Sequence, residues 1–85
     1  MNTTVAKRIE FQTNYKAKHD NVVILFRDNG FYFLYNEDGE ILGTSEKVAH
    51  AEDFTYAAFS ASKLDIYLPA FIRKGHRVAI FDGNL

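Results

Sequence analysis

Asn29-Gly30 stands between two short apolar runs, VVILFR over residues 22–27 and FYFLY over residues 31–35. No other feature constrains the chain as strongly. A two-residue hairpin turn needs φ above zero at both central positions, which Asn and Gly tolerate best. Both runs are rich in β-branched and aromatic residues and too short for helices, so they read as paired strands, the first of them buried. Glu37-Asp38-Gly39 marks a second turn, and Glu40-Ile41-Leu42 reads as a short third strand. The expectation is a three-stranded meander over residues 22–43.

Other elements follow from periodicity and end signals. Val5, Ile9, Phe11 or Gln12, and Tyr15 or Lys16 give residues 5–18 a rough helical period. Thr3 or Thr4 would cap that helix, and His19-Asp20-Asn21 would end it. Residues 44–49 resemble a short helix capped by Thr44 or Ser45, and FTYAAF over 54–59 reads as a strand. Ser62 and Asp65 have capping-box spacing, and Leu64, Leu68, Phe71 and Ile72 then share a helical face with Tyr67 beside it. Pro69 inside this pattern is expected to kink or loosen the helix. Arg73 and Lys74 suit its negative end, and Gly75 suits the residue just beyond it. Residues 77–81, RVAIF, form a last strand, and 82–84 an exit turn. The expected order is α-βββ-α-β-α-β, a mixed α+β fold with a sheet of about five strands and about three helices. It occupies a single domain over residues 1–85.

Composition narrows the classes of function. An apolar fraction of 47% and a net charge of -1 argue against disorder. Eight Phe and five Tyr can supply the core of a domain this small. No apolar run is long enough to span a membrane, and the first residues lack a signal-peptide block, so a cytoplasmic, membrane-free protein is expected. Cysteine is absent, which removes disulfides and thiolate chemistry. No glycine precedes Lys-Ser or Lys-Thr, so there is no phosphate-binding P-loop and no ATPase is expected of this chain. His19, His50 and His76 have no partner at metal-ligand spacing, and no G-x-S-x-G elbow occurs. The sequence therefore carries no enzyme, metal or cofactor signal.

Charge is segregated along the chain. Residues 1–20 hold four cations against two acids, residues 36–53 one against six, and residues 63–77 four against one. The two basic ends fit either solvated helix ends or a basic surface made by two helices. The near-neutral total argues against strong non-specific attraction to nucleic acid.

Two stretches, FRDNGFYFLYNEDG over 26–39 and DIYLPAFIRKGHRVAIFD over 65–82, resemble the N-terminal domain of MutS-type DNA mismatch repair proteins. Phe26, Arg27, Phe31, Tyr32 and Leu34 match that family's F-R-M-G-D-F-Y-E-L-F pattern. Tyr67, Leu68, Pro69, Ile72, Arg73, Gly75, Arg77, Val78, Ala79, Ile80 and Asp82 match Y-L-P-K-L-I-R-A-G-x-R-V-A-I-C-D-Q. The resemblance spans residues 15–82 in the family's order, and the family's clamp, lever and ATPase domains have no counterpart in it. It implies a mixed sheet with surrounding helices that carries a mismatch reader. In the family's F-x-E motif the Phe wedges into the minor groove and the Glu hydrogen-bonds the base. Phe31 stands at the wedge position. Phe33 stands at the Glu position, so that hydrogen bond is lost. Gly30 replaces the Asp before the wedge, and Phe81 replaces the Cys.

The expected DNA-binding residues are accordingly Phe31, Tyr32 and Phe33, with Lys16, Lys18, Arg73, Lys74 and Arg77 as phosphate contacts provided they share a face. The expected partner is duplex DNA, mismatched DNA included, bound weakly by so few charges. The alternation of FYFLY is also what a core strand requires. The competing function is a protein-interaction module, through a partner or self-association, in which an aromatic hairpin anchors the interface. A single-strand binder that stacks bases on FYFLY is a third option. Exposure of Phe31 and Phe33 next to the basic residues discriminates the first two: both exposed, away from Arg73 and Lys74, would favour the interaction role.

Overall fold

Asn29 and Gly30 adopt φ of 49° and 80°, so the residues between the two strands form the two-residue turn their identities favour. The computed structural model describes residues 3–42, 48–50 and 53–84. Helix α1 is Thr3–Lys18, strand β1 Val22–Asp28, strand β2 Phe31–Tyr35, helix α2 Glu37–Ile41, strand β3 Val48–His50, strand β4 Thr55–Ser60, helix α3 Leu64–Arg73 and strand β5 Arg77–Asp82. A 3₁₀ turn, Ala61–Lys63, leads into α3. The five strands form one sheet in the order β3-β4-β2-β1-β5. Among the described residues only the β1–β5 pair is parallel, with Val22 opposite Arg77 and Arg27 opposite Asp82. The fold is mixed α+β, as expected.

Alternation along the strands divides the core between two faces. Val23, Leu25, Tyr32, Leu34, Ala57 and Phe59 face α3 and pack with Phe71, Leu64 and Tyr67. Val22, Ile24, Phe26 and Tyr35 face α1 and pack with Val5, Ile9, Phe11 and Tyr15. The apolar seam of α1 lies over β1 and β5, where Phe11 meets Phe26 and Phe81 edge-on. Its neighbouring ridge is polar: Arg8, Gln12 and Lys16, four residues apart, reach Tyr35, Glu37 and Asp38.

Several local expectations are corrected. Glu40-Ile41-Leu42 is not a third strand, because Glu37–Ile41 forms helix α2. Asn36 turns the chain with φ of 54° and accepts from the Gly39 N–H, so α2 starts where a hairpin was expected. Gly39 fits closely there, since a Cβ would sit 3.2 Å from both Ala57 N and Leu34 O, a tight contact. Val48 and Ala49 belong to edge strand β3 rather than a helix, and the rest of the expected 44–49 helix lies outside the described residues. The cap before α3 is Ser60, whose Oγ accepts from the Ser62 N–H, rather than Ser62 itself. Pro69 stands inside α3, as expected. The helix ends as expected at Gly75, with φ of 88°, where His76 N–H donates to Phe71 O and Gly75 N–H to Ile72 O.

Candidate nucleic-acid interface

The hairpin tip presents one aromatic ring. Phe31 is the first residue after the turn and is 47% exposed. The turn beneath it is pinned, since Ala61 N–H donates to Gly30 O at 2.8 Å. Phe31 faces the same side of the sheet as Phe33, and their ring centroids are 6.5 Å apart. Tyr32 points the other way, is 6% exposed, and packs on Phe59 in the core. Phe33 is half-buried, with the Arg8 guanidinium 5.4 Å from its ring centroid. Of the three expected aromatics, Phe31 alone is exposed.

Arg8 organises the floor of this end. It is buried at 3% exposure. Nε donates to Gly83 O at 2.9 Å, Nη1 to the Tyr35 hydroxyl at 2.9 Å, and Nη2 to Asp28 Oδ2 at 2.6 Å. Burial works against the charge, but the bonds to Asp28 and Tyr35 outweigh it and raise the Arg8 pKa above its ordinary value. Burial in turn pushes the Tyr35 phenol up, against the pull of Arg8. Asp28 lies directly across the hairpin from Phe31.

The expected cations lie elsewhere. Helix α1 runs antiparallel to β1, from Arg8 beside Asp28 to Lys16 beside Asp38. Lys18 ends α1, Arg73 and Lys74 end α3, and Arg77 opens β5 opposite Val22. Lys18, Arg73, Lys74 and Arg77 therefore gather at the pole of the sheet opposite Phe31. The seven residues of β1 separate the poles by about 20 Å. Lys74 Nζ donates to Ile41 O at 3.2 Å.

Lys16 is engaged. Nζ sits 2.5 Å from Asp38 Oδ1 and 3.1 Å from Glu37 Oε1. Burial opposes the Lys16 charge, yet the two carboxylates prevail and raise its pKa. Asp38 is nearly inaccessible and also accepts from the Ile24 N–H at 3.0 Å. Burial dominates there and lifts its carboxyl above the usual range despite Lys16. Glu37 is more open. Burial pushes it up, but its own backbone and Lys16 win and lower it.

Sequence reasoning missed Arg8 and Asp28. The signal for Arg8 was the i, i+4, i+8 spacing of Arg8, Gln12 and Lys16, a polar ridge beside an apolar one. The signal for Asp28 was strand alternation, which puts Phe26 and Asp28 on one face with Phe31 and Phe33. Among the described residues, no group of three or more His, Cys, Asp or Glu could hold a metal ion. Nor is any helix there long and apolar enough to cross a membrane.

Comparison with known proteins identifies the family. The family model for MutS domain I matches residues 8–84. The DNA mismatch repair protein MutS of Phocaeicola vulgatus is 43% identical over 74 residues, covering 79% of this chain and 8% of that protein. The protein of the same name from Bacteroides fragilis is 47% identical, over 79% of this chain and 9% of its own length. That from Salinibacter ruber is 36% identical, over 76% and 8%. The chain spans less than a tenth of the length of these curated relatives. The match takes in α1 from Arg8, the hairpin that exposes Phe31, and the α3–β5 unit: the chain belongs to the MutS domain I family.

Proposed function

We propose that this chain is a DNA-binding module that probes duplexes for weakly stacked base steps with Phe31. The observation that carries the reading is the exposure of Phe31 at a pinned hairpin tip, where its neighbours on the strand are buried or half-buried. A ring held there wedges into a minor groove wherever the step unstacks at low cost. A mismatch unstacks and kinks more easily than a paired step, so the ring reports deformability rather than sequence. Relatives bearing the name DNA mismatch repair protein MutS support the same reading. Phe33 flanks the ring on the same face of the strand, and Tyr32 anchors the strand in the opposite core. Lys18, Arg73, Lys74 and Arg77, about 20 Å away, add attraction to phosphates that carries no sequence information. Lys16 contributes least, because its charge is already paired. So few contacts make the module a weak binder on its own, working on DNA in the cytoplasm without an ATPase in this chain.

Fluorescence anisotropy with matched and single-mismatch duplexes tests this. The wild type is expected to prefer the mismatch, and Phe31→Ala to abolish the preference while leaving matched-duplex binding in place. Equal binding to both duplexes, blind to the substitution, would overturn it.

A second reading, protein docking, is favoured by the groove beside α1. Its wall is aromatic, with Phe33, Tyr35, Phe54 and Tyr56 alongside Val5 and Arg8. Absence of DNA binding at low salt, together with self-association lost in Tyr56→Ser, would favour it.

A further inference from the structure

We infer that Asp28 is the hydrogen-bonding partner of the base that Phe31 unstacks, so that the hairpin reads an unpaired base with a ring from one strand and a carboxylate from the other. This rests on the function proposed above and adds the chemistry of its ligand. Phe31 and Asp28 are register partners across the β1–β2 pair. Directly opposed side chains on one sheet face have Cβ atoms about 4.5–5.5 Å apart. A base stacked on Phe31 therefore brings its edge within reach of Asp28. Phe33, next along β2 on the same face, has no acceptor to offer.

The carboxylate is half committed and held in place. Oδ2 takes the Arg8 Nη2 bond at 2.6 Å. Oδ1 receives no hydrogen bond from the described residues, and the side chain keeps 29% of its surface open. Asp28 borders the cleft that runs over Arg27, Asn29 and Asp82 as well as the groove over Arg8 and Phe33. Arg8 is a positioning residue here. Its three bonds, to Gly83 O, Tyr35 and Asp28, fix the guanidinium, and the buried guanidinium fixes the carboxylate. An ionised carboxylate accepts and does not donate. The ligand is thus a base with an exposed N–H on its pairing edge, such as the imino group of a mispaired thymine or guanine.

The test uses the full chain and two duplexes, one with a G·T mismatch and one in which difluorotoluene, a thymine-shaped base without an N–H donor, replaces that thymine. A charge-assisted hydrogen bond predicts about tenfold tighter binding of the thymine duplex by the wild type. Asp28→Asn, nearly isosteric, is expected to bind the two duplexes equally. Phe33→Glu added to Asp28→Asn returns a carboxylate to the same face and is expected to restore the preference. That rescue is one a merely structural Asp28 would not give. Thymine preference unchanged in Asp28→Asn, with mismatch binding still lost in Phe31→Ala, overturns the role of Asp28 alone. Mismatch binding absent from the wild type, or indifferent to Phe31→Ala, overturns the proposed function and this assignment with it.

Discussion

The Arg8 guanidinium lies 5.4 Å from the centroid of the Phe33 ring. This stacking closes a buried assembly in which one side chain of α1 ties together β1, β2 and the exit of β5. Removing it strands the Tyr35 hydroxyl, the Gly83 carbonyl and one oxygen of Asp28. Arg8→Met is therefore expected to lower the unfolding free energy by about 3 kcal/mol, read from urea unfolding. Arg8→Lys should recover little of this, because an ammonium cannot make the three divergent bonds of the fork.

The other side of that clamp is Gly83. A Cβ there would lie 2.6 Å from Arg8 Nη2 and 2.9 Å from the Arg27 carbonyl oxygen. The arginine tip is already committed to three partners, and the carbonyl belongs to a central strand. Gly83→Ala is expected to cost about 1–3 kcal/mol as overpacking. In an Arg8→Met background the contact with the arginine tip is gone but that with the Arg27 carbonyl remains, so only part of the loss should vanish. A double-mutant cycle measures this coupling directly.

Gly30 tests the hairpin itself. At φ of 80° an alanine is strained, although open space surrounds the position. Gly30→Ala should cost about 1 kcal/mol in thermal or urea unfolding through backbone conformation alone. The turn also sets the direction of Phe31, so mismatch preference should fall further than stability does. Asn29→Gly, which suits the same conformation, should leave both nearly unchanged.

The hairpin, β5 and the end of α3 were legible because their signals are local. Asn-Gly demands positive φ, and a glycine behind Arg73-Lys74 ends a helix. Helix α2 was not legible, because Glu37-Asp38-Gly39 is turn chemistry until Asp38 is buried. What makes it a helix is tertiary: the Asp38 carboxylate takes the Ile24 N–H and Lys16 Nζ, and Gly39 packs against Ala57 and Leu34. The candidate site divides the same way. The family pattern singled out Phe31, whereas strand alternation alone read FYFLY as core. They could not place it about 20 Å from Arg73 and Lys74, because that separation follows from the parallel β1–β5 pairing.

Alkaline stability follows from Lys16 and Tyr35. Lys16 is raised above 10.5 by its carboxylate partners, so its contribution is complete below that pH and is lost as pH climbs through the folded value. Tyr35 is raised above 10.0 by burial, so the folded state holds the phenolic proton longer and also loses stability upward from there. Both act in the same direction, and unfolding free energy should fall steadily above about pH 10. Lys16→Met should lower stability at neutral pH and flatten the alkaline decline. Urea midpoints from pH 8 to 11 give the comparison.

Salt dependence separates the two poles. Each phosphate neutralised by a side chain contributes about -0.9 to the slope of log K against log salt. Arg73 and Lys74 sit together at the end of α3, far from the Phe31 ring. Reversing both, as Arg73→Glu with Lys74→Glu, should reduce the slope by about 2 and weaken matched and mismatched duplexes by the same factor. Phe31→Ala should do the converse, leaving the slope in place and removing the difference between duplexes. Anisotropy titrations across a salt series read both quantities at once. If the double reversal leaves the slope unchanged, the far pole takes no part in DNA binding, and the phosphate contacts must come from the hairpin end, where Arg27 and Lys63 are exposed.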